Sequence, residues 1–193
     1  MDEVVYPEGH GCVVIRKIEF VGPAAGPRLL VFGAIHGDEV CGARALERLA
    51  KEFASGTRAL VSGRCAFVPV CNERAFQAGK RYMDENLNRV FHPHAEAKSY
   101  ERQLANELAP LVHDYDFLLD LHSMQAEGEP FVFLNKETQA SDKLCRALGT
   151  RVILKGWPEV YRKYPERLSA CTQTYADSLG KPNALIECGT HGA

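Results

Sequence analysis

Arg28-Leu29-Leu30-Val31-Phe32-Gly33-Ala34 runs into Ile35-His36-Gly37-Asp38-Glu39, and Ala45-Leu46-Glu47-Arg48-Leu49-Ala50-Lys51-Glu52-Phe53 follows shortly after. The first segment is an apolar run of strand length, whereas the last sets apolar residues at 46, 49, 50 and 53, the period of a helix. His36 and Glu39 therefore stand on a strand-to-helix turn. Gly33 and Gly37 let the backbone bend sharply there, and side chains three residues apart in a first helical turn can converge on one point.

A second strand ending supplies a third polar group, in Phe117-Leu118-Leu119-Asp120-Leu121-His122-Ser123. Open α/β sheets place their sites at such strand ends. Two imidazoles and a carboxylate suit one zinc ion with an open coordination position, where a water can be acidified to a pKa of about 7. Taken singly, His36 reads as a turn cap and His122 as a hydrogen-bonded core histidine. Together with Glu39 they read better as a metal set, so the residues predict a metallohydrolase.

Strand and helix signals alternate along the rest of the chain, without repeats or low complexity. Cys12 to Phe20 reads as a first strand, Gly22 to Pro27 as a turn and Arg64 to Val70 as another strand. Lys80-Arg81-Tyr82-Met83-Asp84-Glu85-Asn86-Leu87-Asn88-Arg89-Val90-Phe91 reads as a loop, whose arginines present planar forks able to hold a carboxylate bidentately. A helix follows, with Tyr100, Leu104, Leu108, Leu111 and Val112 on one stripe. Strands near 131–134 and 152–154, helices over about 138–148 and 170–179, and a strand from Asn183 to Cys188 complete the order. This order predicts an α/β fold, a mixed, mostly parallel central sheet with helices on both faces.

At 193 residues and 46% hydrophobic content the chain is long enough for one well-buried domain. A net charge of −2 from 23 basic and 25 acidic residues gives no electrostatic case for nucleic acid or a membrane surface. Attraction for an acidic substrate must then be local, at Arg81 and Arg89. Seven cysteines without C-x-x-C spacing argue for a reduced, cytoplasmic protein, with Cys188 a small buried thiol in a strand. The start, Met-Asp-Glu-Val-Val-Tyr-Pro, lacks an apolar signal core, and no run of 18 apolar residues occurs, so neither export nor membrane anchoring is expected. His92 and His94 read as solvated imidazoles in a proline-containing loop, and His10, His113 and His191 carry no constellation.

His36-Gly-Asp-Glu39, Arg81-Tyr-Met-Asp-Glu-Asn-Leu-Asn88-Arg89, Asp120-Leu-His122-Ser and Leu185-Ile-Glu187-Cys-Gly, in that order, resemble the motifs of the succinylglutamate desuccinylase/aspartoacylase family, relatives of the zinc carboxypeptidases. The resemblance runs from residue 36 to residue 189. It implies a zinc carboxypeptidase-like fold with one zinc per chain, held by His36, Glu39 and His122, and Glu187 as general base and acid. It also implies that Arg81 polarises the scissile carbonyl while Asn88 and Arg89 grip the substrate's α-carboxylate. The implied activity removes an acyl group from an N-acyl amino acid of the N-succinylglutamate or N-acetylaspartate type. The alternatives are a zinc carboxypeptidase acting on a peptide C-terminus and a metal-binding domain without turnover.

Glu187 interrupts an apolar strand, and a buried carboxylate without a partner is costly, which independently favours a functional role. Asn86 departs from the wider family pattern, in which many relatives carry Asp. Its amide oxygen can accept a hydrogen bond from a ligand histidine but lacks the charge that raises ligand basicity. The resemblance further leads us to expect residues 1–193 to form a single catalytic domain, with the family's C-terminal β-rich domain absent or truncated. Acyl-group selectivity is expected to lie in that domain, since Tyr161, Arg162, Arg167 and Tyr175 fall in no motif. A homo-oligomer is left open.

Overall fold

The computed structural model describes residues 13–163 and 170–191. Seven strands form one sheet: β1 (Ile18–Val21), β2 (Arg28–Gly33), β3 (Arg64–Val68), β4 (Phe117–Met124), β5 (Phe131–Leu134), β6 (Val152–Lys155) and β7 (Asn183–Thr190). Their order is β1-β3-β2-β4-β7-β5-β6. β2 is parallel to β3 and β4, β4 to β7, and β5 to β6, while β1 on β3 and β5 on β7 are antiparallel. This is the mixed, mostly parallel sheet that the alternation of signals predicts.

The helices are α1 (Val40–Ala54), α2 (Glu73–Gln77), α3 (Tyr100–His113), α4 (Gln139–Ala147), α5 (Trp157–Arg162) and α6 (Thr172–Ser178). Strand side chains alternate between the two faces of the sheet. On one face Leu30, Phe32 and Leu118 pack with Tyr100, Leu104, Leu108 and Val112 of α3 and Ala176 of α6. On the other, Val31, Leu119 and Ala184 pack with Leu46 and Ala50 of α1 and Cys145 of α4. With both faces covered, β2 and β4 read as near-continuous apolar runs. Each fully buried leucine contributes about 1.5–3 kcal/mol, so these stripes rather than helix propensity hold α1 and α3 to the sheet.

The path of the chain creates the site. From β2 it crosses by α1 on one face to β3, then by α3 on the opposite face to β4, so that β3 and β4 flank β2. Divergent crossovers open a crevice beyond the carboxyl ends of β2 and β4.

Several boundaries differ from those expected. The first strand begins at Ile18, residues 13–17 are irregular, and Cys12 lies outside the described residues. Helix α1 starts at Val40 rather than Ala45, because its first turn packs closely instead of showing a stripe: a Cβ on Gly42 would stand 2.8 Å from Leu121 Cβ. The brief helices α2 and α5 are too short to display a full apolar period, and the arginine loop contains a 3₁₀ turn at Leu87–Arg89. Among the described residues no helix is long and apolar enough to cross a membrane.

Candidate metal and catalytic site

At the end of β2 the chain turns through Ala34, whose φ of 46° is one that L residues adopt at a cost of order 1–3 kcal/mol. The turn carries His36 into the crevice. Gly37 lies flat against α2, where a Cβ would come within 2.2 Å of the Ala75 carbonyl carbon, and its N–H donates to Arg81 O at 3.2 Å. Glu39 occupies the N-cap position of α1 but makes no capping hydrogen bond, because its carboxylate faces the crevice instead. His122 arrives from the neighbouring strand β4.

The three side chains meet, each about 2% exposed. His36 Nδ1 and His122 Nδ1 lie 3.2 Å apart, and each is 2.8 Å from an oxygen of Glu39, Oε1 for His36 and Oε2 for His122. Ser123 N–H donates to Glu39 Oε2 at 3.0 Å and fixes the carboxylate from behind. The outer nitrogens of both rings are also held. His122 Nε2 donates to Asp120 Oδ2 at 2.9 Å, and Thr172 Oγ1 donates to the same oxygen at 2.5 Å. His36 Nε2 pairs with Asn86 Oδ1 at 3.1 Å, so the amide at this position does accept the histidine hydrogen bond. Among the described residues, this trio is the group whose ligand atoms lie close enough together to hold a metal ion.

Electrostatics suit a cation at that point. Burial lowers the His36 pKa and keeps the ring neutral. Burial opposes ionisation of Glu39, yet hydrogen bonds with His122 and His36 hold its carboxyl far below the usual range. Burial likewise opposes charge on His122, but Asp120 and Glu39 outweigh it and push that pKa up. Two carboxylates thus favour positive charge between the imidazoles.

Glu187 stands beside His122 in the parallel register of β4 and β7, so their side chains share a face. Burial raises its pKa to about 6, and its Oε2 is buried with no hydrogen-bond partner. The register shifts immediately afterwards, where Gly189, at φ 104°, absorbs the irregularity. Glu187 lines a cavity of about 190 Å³ together with His36, His122, Arg81, Asn88 and Arg89. Arg81 Nη1 donates to Glu39 Oε1 at 2.7 Å. Arg89 Nη1 donates to Asn88 O at 2.7 Å, and Asn88 Oδ1 accepts from Thr172 N at 3.0 Å. Six of the seven residues singled out in the sequence therefore border one space, and the seventh, Glu39, lies behind them, bonded to His36, His122 and Arg81.

Other participants left little trace in the sequence. Asp120 supports His122 from two positions earlier on β4, and Thr172, in a distant segment, holds Asp120 in turn; only the spacing of Asp120 signals its role. Ser123 Oγ and His191 Nδ1 pair at 2.8 Å, giving His191 a partner where none was expected. His94 Nε2 donates to Val90 O at 2.8 Å, which makes it a loop staple. Tyr175 packs edge-on against Phe91, away from the cavity lining, whereas Arg167 lies outside the described residues. Cys188 is half-buried rather than buried, and Cys41 Sγ donates to His122 O at 3.8 Å.

Residues 25–193 match the succinylglutamate desuccinylase/aspartoacylase catalytic domain. A probable aspartoacylase of Nostoc sp. is 28% identical over 172 residues, 84% of this chain and 55% of its own length. The N-alpha-acetyl-L-2,4-diaminobutyric acid deacetylase of Halomonas elongata is 36% identical over 116 residues, covering 58% of this chain and 33% of that protein. Among solved structures, the product-bound ectoine utilization protein EutE (DoeB) from Ruegeria pomeroyi superposes with a TM-score of 0.74 at 26% identity, over 95% of this chain and 56% of that one. An aspartoacylase family protein of Mesorhizobium loti gives a TM-score of 0.75 at 26% identity, over 94% and 58%. The chain thus matches only part of these curated relatives, 55% of the length of the Nostoc protein and 33% of the Halomonas one.

Proposed function

Because the chain belongs to the succinylglutamate desuccinylase/aspartoacylase family, we propose that it hydrolyses the amide of a small N-acyl amino acid, with zinc held by His36, Glu39 and His122. The donor set supports zinc: with Zn–N bonds of about 2.0–2.1 Å, two nitrogens on a tetrahedral ion stand about 3.3 Å apart. The two Nδ1 atoms are 3.2 Å apart. When bound, zinc supplies positive charge that polarises a carbonyl and acidifies water.

The chain's own residues carry the remaining chemistry. Glu187 would take a proton from the attacking water and return it to the departing amine nitrogen. Arg81 would place positive charge beside the developing oxyanion. Arg89 and Asn88, which line the same cavity, would receive the α-carboxylate. Water would be displaced from a space of about 190 Å³, a volume that favours a small acyl group such as the acetyl or succinyl named for the relatives. The observation that carries this reading is the unpartnered Glu187 Oε2 beside the ligand trio.

A hydrolysis screen of the full-length gene product with added zinc tests it, offering N-acetylaspartate, N-succinylglutamate, N-acetyl-2,4-diaminobutyrate and C-terminal dipeptides. Turnover of an N-acyl amino acid is expected, with close to one zinc per chain by elemental analysis and most of it lost in His122→Ala. Preferential release of a C-terminal residue would favour the carboxypeptidase reading. Full zinc retention in His122→Ala would remove that residue from the ligand set.

A further inference from the structure

The segment Lys80–Arg89 brings Arg81, Asn86, Asn88 and Arg89 to the site, yet has no regular structure beyond its 3₁₀ turn. Beneath it lies Glu101, in the first turn of α3, with 0% of its surface exposed. Its carboxylate accepts from Met83 N at 2.7 Å on Oε1, and from Asp84 N at 3.1 Å and Glu85 N at 3.2 Å on Oε2. Asn72 Nδ2 adds a fourth donor at 3.2 Å. A buried carboxylate needs such partners, and three successive backbone N–H groups turned on one anion form a nest. The loop is thus wrapped around a fixed charge.

We propose that Glu101 is a positioning residue for this site: by fixing the backbone of Met83, Asp84 and Glu85 it sets where Arg81 and Asn86 stand against the ligand trio. Both neighbours of the nest lead directly to the crevice. Before it, Arg81 donates to Glu39 Oε1 at 2.7 Å, and its carbonyl receives Gly37 N–H at 3.2 Å. After it, Asn86 Oδ1 pairs with His36 Nε2 at 3.1 Å. The fourth donor extends the hold to the turn after β2, since Asn72 N donates at 3.0 Å to the carbonyl of Ala34, the residue through which the chain turns toward His36. The loop's other pins, Glu85 to Arg102 at 2.7 Å and Asp84 to Tyr100 N at 2.8 Å, lie nearer solvent. An acidic side chain needed only for the α3 dipole would serve equally well exposed, so complete burial against the loop points to positioning.

The kinetic part of the test rests on the function proposed above, while the ordering of the loop does not. In the full-length parent, native-state hydrogen exchange should show the amides of Met83, Asp84 and Glu85 protected by at least about a hundredfold over unstructured amides, although they lie in a loop. Glu101→Gln keeps the size and replaces one acceptor oxygen by a donor. It should lose that protection while β4 and α1 keep theirs, weaken zinc binding about tenfold through Asn86 and lower kcat more than it raises KM. A destabilised but correctly arranged site, measured well below its melting temperature, would show neither change. Free exchange of the three amides in the parent, or parental zinc affinity and kcat in a folded Glu101→Gln, overturns the proposal. Should the variant not fold, the exchange pattern of the parent decides alone. Should the parent hydrolyse no N-acyl amino acid, the proposed function fails, and exchange and zinc affinity still judge Glu101.

Discussion

Asp120 and His122, two residues apart on β4, meet at 2.9 Å, so the carboxylate accepts the hydrogen bond of Nε2–H and Nδ1 is left facing Glu39. Residues i and i+2 of a strand share a face, so the backbone itself dictates which nitrogen of His122 is presented. His36 has only the neutral oxygen of Asn86 behind it, at 3.1 Å. The two imidazoles are therefore unequally supported.

That inequality is measurable. Asp120→Asn should weaken zinc binding by about 10- to 100-fold, whereas Asn86→Asp should tighten it by adding charge behind His36. Competition with a chelator of known affinity reads both. Unchanged affinity in Asp120→Asn would mean that Asp120 serves Thr172 rather than the metal.

Arg89→Lys keeps the charge but loses the fork. For N-acyl amino acids kcat/KM should fall on the order of tenfold to a few hundredfold. A substrate with its carboxylate amidated should be poor for the parent and lose little more in the variant. Equal large losses on both substrates would assign Arg89 another task.

Glu187→Gln separates catalysis from stability through pH. Burial raises the folded-state pKa from 4.5 to about 6, so the group favours the fold below pH 4.5 and this support is lost as pH rises through about 6. In the metal-free protein the variant should melt higher than the parent above about pH 6, and the gap should close below pH 4.5. Turnover should fall by about 10² to 10⁴ in the zinc-loaded enzyme. A stability gap that persists unchanged in acid would locate its origin outside this carboxyl group.

Gly37→Ala probes the contact between the metal turn and α2. The added methyl would sit 2.2 Å from the Ala75 carbonyl carbon, so backbone must move. We expect a loss of about 1–3 kcal/mol in urea denaturation together with weaker zinc binding, since the displaced residue adjoins His36. Parental values for both would show that α2 yields freely.

The turn bearing His36 and Glu39 was legible because a strand period changes to a helix period across two glycines. His122 was legible because it closes an apolar run. Glu187 stood out for the opposite reason, as a charge within such a run. The sheet class followed from the alternation of signals, but the start of α1 did not, since Gly42 packs by having no side chain to show. Thr172 and Asp120 meet across 52 positions, and no local pattern records that encounter. Glu101 was hidden more completely, because most of its partners are main-chain amides, which every residue but proline possesses.

Strand β7 lies between β4 and β5, although it comes after both in sequence among the described strands. As the polypeptide is made, β1 to β4 can assemble and β5 can pair with β6, but the two parts have no common partner until Asn183–Thr190 emerges. Until then β4 and β5 present bare edges able to recruit a neighbouring nascent chain. The strand that joins the halves also delivers Glu187, so completion of the sheet and arrival of the carboxylate beside His122 become a single event.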